Sequence, residues 1–179
     1  MSEAPKKEQI IDIKASVKAI IESIDQERER EIIKRRFGLY ERKETLEQIG
    51  ELLGITRERV RQLEKAILIR IKMVAERGEL PDVTSCEKVI IRTLSDMGRV
   101  AKLHELTDKL LGKKSNSRER AHIAFIAELS PNLTVINETD NYENGVAIAE
   151  YGDEKKIKKQ IEEIIKTIKT NKKPLNIEE

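Results

Sequence analysis

Apolar residues recur every three or four positions along most of this chain, the spacing of helices that bury one face. Ile10, Ile13, Val17, Ile20 and Ile24 predict a first amphipathic helix over 9–24. Asp25 is placed to cap a second helix over 26–36, which turns Ile32, Ile33 and Phe37 inward and stops at Gly38. A charged linker, Tyr40–Glu44, follows. Thr45 and Gln48 have capping-box spacing and open a short helix through Leu53, with Leu46, Ile49, Leu52 and Leu53 as its apolar face. Gly54 ends that helix, Ile55 makes the turn, and Thr56 caps a long helix from Arg57 to about Arg77. Val60, Leu63, Ile67, Ile71 and Val74 form its buried stripe, and Gly78 and Pro81 close it. Two helices joined by a tight turn containing glycine make a helix-turn-helix.

A second unit begins near Val83. A helix over Cys86–Met97 with Val89, Ile90 and Leu94 inward leads to a short extended piece, Arg99–Lys102, and a helix Leu103–Leu111 stopped by Gly112. Ser117 is placed to cap a third helix, Arg118–Leu129. Leu133–Asn137 and Val146–Glu150 are β-prone runs around Glu138–Gly145, which is rich in turn residues. Three helices and a hairpin predict a winged helix. Asp153 then caps a last amphipathic helix whose inward face is Ile157, Ile161, Ile164, Ile165 and Ile168, a stripe that needs the winged unit or a second chain to cover it. The expected fold class is mainly α: a helix-turn-helix domain over 9–80, a small α+β winged-helix domain over 83–152 and a C-terminal helix over 153–170. Residues 1–8 are expected to be a disordered tail and 171–179 a frayed one.

Composition narrows the function classes. Hydrophobic and charged residues each make up 38% of the 179 positions and aromatics 3%, which suits solvated helices with aliphatic cores better than an aromatic-lined ligand pocket. The net charge of +2 leaves nucleic-acid binding to local clustering. Cys86 is the single cysteine and His104 and His122 the two histidines, so an internal disulfide is excluded and a Cys/His zinc site is not expected. No phosphate-binding loop, nucleophile elbow or metal-ligand spacing stands out, so neither an enzyme, a cofactor nor a small-molecule substrate is expected. No apolar run reaches the ~20 residues of a membrane span, and no signal core is present. The expectation is a cytoplasmic protein with no membrane partner.

Charge does cluster at one place. Arg57, Arg59 and Arg61 stand at the start of the second helix of the helix-turn-helix, opposite Val60, Leu63 and Ile67. A recognition helix needs this division, because its first turns enter the major groove while its other face holds it on the domain. The segment EREREIIKRRFGLYERKETLEQIGELLGITRERVRQLEKA, residues 27–66, resembles region 4 of bacterial housekeeping-type sigma factors, and its R-F-G-L, T-L-E-Q-I-G and T-R-E-R-V-R-Q-L-E runs stand in that family's order. The resemblance implies binding to the −35 promoter element of double-stranded DNA and docking on the β flap of the RNA polymerase core. It implies base contacts by Arg57, Glu58 and Gln62. It implies phosphate contacts by Arg28, Arg36, Thr56, Arg59 and Arg61 and by the amides of Leu46 and Glu47. The chain has no tryptophan, and Met1 stands one helix before this segment, so promoter melting is not expected. The second unit resembles, less specifically, the winged-helix module of the RNA polymerase δ subunit.

Lys113, Lys114, Arg118 and Arg120, at the start of the third helix of the second unit, are a second candidate DNA surface, with protein contact as the alternative. Cys86 and the histidines read as packing or surface residues, and Lys155, Lys156, Lys158 and Lys159 as a solvated face. Three functions follow: a promoter-binding regulator, a polymerase-associated interaction protein that reads no bases, and a stand-alone repressor.

Overall fold

The computed structural model describes residues 12–140 and 142–170. The expected tails 1–8 and 171–179, the beginning of the first helix with Ile10, and Asn141 in the hairpin turn lie outside the described residues. The first half holds α1 (Ile13–Glu22), α2 (Glu27–Phe37), α3 (Leu46–Leu53) and α4 (Arg57–Glu76). The second holds α5 (Pro81–Ser95), β1 (Val100–Lys102), α6 (Leu103–Leu111), α7 (Ser117–Leu129), β2 (Leu133–Ile136) and β3 (Gly145–Ile148). A short 3-10 turn, Ala149–Tyr151, leads into α8 (Glu154–Thr170). The fold is mainly helical with one small sheet, as the sequence predicts. No helix among the described residues is long and apolar enough to cross a membrane.

Local chemistry sets most element ends, with small departures from expectation. Gln26, not Asp25, stands at the N-cap of α2 and makes no side-chain cap bond, while Glu27 and Glu29 place negative charge at the positive end of the helix dipole. Pro81 does not close α4 but opens α5, where its missing N–H costs nothing, so that helix starts five residues ahead of Cys86. Asn116, not Ser117, caps α7: it accepts from the Glu119 amide at 2.9 Å while the Glu119 carboxylate accepts from the Asn116 amide at 2.8 Å. Asp153 caps α8 as expected, accepting from the Lys156 amide at 2.8 Å.

The strands form one antiparallel sheet in the order β1-β3-β2, with Ala101 opposite Val146 and Val135 opposite the same residue on the other side. The succession α5, β1, α6, α7, β2, β3 is that of a winged helix. Its α7 is unusually deep: His122, Ile123, Phe125, Ile126, Ala127 and Leu129 are all buried. They are covered from the second unit by α5, α6 and β2 and from the first half by α1, α2 and α4.

One apolar core therefore runs through both halves. It joins Val17, Ile20 and Ile21 of α1, Ile33 of α2 and Ile67 and Ile71 of α4 to Val83, Ile90 and Leu94 of α5, Leu106 of α6 and the buried face of α7. Phe37 meets Phe125 edge to face with ring centres 5.0 Å apart. Lys72 reaches Glu128 across the same seam at 2.7 Å. The apolar continuation of α4 finds its partner here, although Ile69 points to solvent. The face expected on α8 is only partly covered. Ile157 packs with Ile136, Ala147 and Tyr151, whereas Ile164, Ile165 and Ile168 are 59%, 42% and 56% exposed.

Candidate nucleic-acid interface

The helix-turn-helix is α3 and α4. Ile32, Ile49 and Val60 close a small core of their own, ringed by Leu46, Leu53, Ile55 and Leu63. Leu52, expected to face inward, is 55% exposed. Gly54 takes the left-handed conformation at φ 66° that ends α3, and the Ile55 amide donates back to the Gly50 carbonyl at 3.0 Å. Gly50 is needed for this turn: a Cβ there would sit 2.7 Å from the Ile55 carbonyl oxygen. Thr56 caps α4 by accepting from the Arg59 amide at 3.2 Å.

The first turns of α4 are laid bare. Arg57, Glu58, Arg59, Arg61 and Gln62 are all exposed, and Val60 between them is fully buried. Arg61 grips Glu58 with two parallel hydrogen bonds, Nε to Oε2 at 2.8 Å and Nη2 to Oε1 at 2.7 Å, and the Gln62 amide donates to Oε1 at 3.3 Å. The Arg61 hydrogen bonds above all, helped by the Gln62 hydrogen bond and the nearby charges of Arg61 and Arg57, hold the Glu58 carboxyl down at about 2 against the opposing effect of desolvation. Two of the three expected base readers and one expected phosphate contact are thus already linked to one another.

The remaining expected contacts divide. Around the N-terminus of α3, Thr45 and Gln48 complete the capping box at 3.2 and 2.9 Å, which occupies the Thr45 and Gln48 amides and leaves those of Leu46 and Glu47 at the open helix end. Arg28 donates to the Leu53 carbonyl at 2.9 Å and so caps α3 while remaining exposed. Arg36 is half-buried and paired with Glu64 of α4 at 3.1 Å, a tie between helices 28 residues apart that no local spacing announces. Glu29 and Arg70 make another tie between α2 and α4. At the second candidate surface, Lys113 is paired with Glu119 at 2.7 Å and Arg120 donates to the Ser115 carbonyl at 2.8 Å, while Lys114 and Arg118 are exposed. His122 is buried and its Nε2 lies 2.8 Å from the Leu39 carbonyl oxygen, joining α7 to the start of the α2–α3 linker.

This geometry defines a helix-turn-helix whose second helix exposes its charged first turns. Residues 26–72 match the family model for sigma-70, region 4. The chain is 41% identical over 63 residues to the RNA polymerase sigma factor RpoD of Helicobacter pylori, a match covering 34% of this chain and 9% of that protein. It is 39% identical over 69 residues to the RNA polymerase sigma factor RpoS of Coxiella burnetii, covering 38% and 19%. It is 46% identical over 46 residues to the RNA polymerase sigma factor sigB of Arabidopsis thaliana, covering 25% and 8%. The chain thus matches less than a fifth of the length of these relatives. No solved structure matches it significantly. Residues 26–72 are a sigma-70 region 4 domain, and the family match ends at residue 72, within α4 and short of the second unit.

Proposed function

We propose that this protein is a sequence-specific DNA-binding transcription regulator, sigma-like in its first half, that acts at −35-type promoter elements and on the RNA polymerase core through the β flap. One observation carries the reading: within the region 4 domain, Arg57, Glu58, Arg59, Arg61 and Gln62 are exposed together on the first turns of α4, while Val60 and Ile67 anchor the opposite face at 0% exposure. On this reading Arg57 offers its fork to guanine, Glu58 accepts from cytosine and Gln62 pairs with adenine. Arg28, Arg59, Arg61, Thr56 and the amides of Leu46 and Glu47 meet phosphates, and Arg36 joins them from the edge of its pair with Glu64. The Arg61–Glu58 bridge orders both side chains before DNA arrives, which reduces the rotamer entropy lost on binding.

A second reading is favoured by the exposed apolar pair Ile69 and Met73, one turn apart on α4. It makes the chain a polymerase-associated interaction protein that reads no bases. Selection from a random duplex pool, followed by a salt titration of the selected site, separates the two. DNA reading requires enrichment of a −35-like sequence and a steep linear fall of log K with log salt. No enrichment, with retention on an isolated β-flap domain, supports the second reading and overturns the first.

A further inference from the structure

Cationic side chains that form no ion pair with any described residue gather where the α2–α3 linker meets the start of α7. Arg42 and Lys43 are exposed on the linker, and Lys114 and Arg118 are exposed at the N-terminus of α7. One contact and one shared cleft bring these segments together. The Leu39 carbonyl meets the buried His122 ring, and Lys43 lines the same cleft of about 540 Å³ as Ser117, Arg120 and Phe37. Burial, together with the positive charges of Arg118 and of Lys14 in α1, holds the His122 pKa down. Of the neighbouring acids, Glu119 is engaged by Lys113 and the Asn116 amide and Asp108 by the amide and hydroxyl of Ser115, while Glu41 and Glu138, which also line the cleft, are exposed. Like charges left unpaired on adjoining segments repel one another, and a polyanion relieves that repulsion.

The shape of α7 decides which polyanion contact fits. From His122 onward the helix is largely buried, so only its first turn, Ser117 and Arg118, is free. Reading base edges takes several side chains from the opening turns of a helix set into the major groove, whereas one exposed turn beside lysines suffices to touch a phosphate strand. Lys43 also precedes by two residues the Thr45 cap of α3, whose open amides Leu46 and Glu47 the proposed function assigns to phosphates.

We propose that Arg42, Lys43, Lys114 and Arg118 form a phosphate track for DNA flanking the helix-turn-helix site, so that the winged unit clamps the backbone and reads no bases. This rests on the DNA-binding reading of α4. The test compares wild type and K114E/R118E on two duplexes carrying the same −35-type element, one ending at the element and one extended by about one helical turn, ~10 bp, on each side. The extension strengthens wild-type binding several-fold. The double reversal removes that gain and lowers the salt slope on the long duplex by about 2, near 0.9 for each phosphate that is no longer neutralised. It leaves the short duplex unchanged, and R42E reproduces the pattern from the linker side. A wild type indifferent to the extension, a variant that binds the long duplex as wild type does, or a variant weakened equally on both overturns the track while leaving the α4 reading in place. A wild type that binds neither duplex overturns both.

Discussion

The chain contains two helix-turn-helix pairs that differ in what they do with their second helix. In the first pair, α4 presents its opening turns to solvent and fastens itself by Val60 and Ile67 below. In the second, α7 occupies the place a winged helix gives to its reading helix, yet Ile123, Phe125 and Ile126 are buried against both halves of the molecule. One topology thus leaves its second helix exposed in one place and makes it a central beam in the other. The distinction lies in the side chains: α4 opens Arg-Glu-Arg-Val-Arg-Gln, while α7 after its first turn runs His-Ile-Ala-Phe-Ile-Ala. A helix with the second composition gains more by leaving water than by facing a polyanion.

The comparison breaks most visibly at the beam. Phe125→Ala should cost ~3–5 kcal/mol, since a fully buried aromatic that also meets Phe37 is removed. Denaturant unfolding followed by hydrogen exchange should show amides of α3 and of α6 losing protection together. If α3 keeps its protection, the shared core does not couple the halves. Arg57→Ala at the reader should reduce discrimination at one base pair by ~1–3 kcal/mol, measured by competition between duplexes that differ there, whereas Arg118→Ala should leave base preference unchanged. Equal loss on every sequence for Arg57→Ala would move that residue to a phosphate.

A smaller effect belongs to the cap between the pair. Thr56→Ala should lower the unfolding free energy by ~1 kcal/mol by orphaning the Arg59 amide, and thermal melts of this variant and of Asn116→Ala compare the same device at the two second helices. The smallest is electrostatic. Because the folded Glu58 carboxyl is held at about 2 rather than the ordinary 4.5, its bridge to Arg61 is intact above that ordinary value and is lost as the pH falls toward 2. An NMR titration of the Glu58 side-chain carbon should give a midpoint near 2, and Arg61→Ala should return it toward 4.5. A wild-type midpoint already near the ordinary value would mean that the bridge is absent in solution.

Much of this was readable one helix at a time. The Thr45–Gln48 box, the Thr56 cap and the left-handed glycines at 38 and 54 act within four residues of themselves, so their spacing announces them. The exposed charged face and the packed face of α4 follow from its 3.6-residue period. The expectations that missed depend on surfaces supplied from elsewhere in the chain. Leu52 and Ile164, Ile165 and Ile168 have the right spacing but no described neighbour covers them. Arg36 reads as a free cation until Glu64 is brought beside it, and Arg28 until the Leu53 carbonyl is.

The amino-acid order alone determined where helices begin and turn and which residues line the first turns of α4, because caps, glycines and periodicity are short-range. Only the tertiary structure decided that α7 is enclosed, that one core spans both halves and that Leu39 of the α2–α3 segment meets His122 of α7. Those outcomes depend on which apolar faces meet across dozens of residues, and burial is a property of the meeting, not of either face.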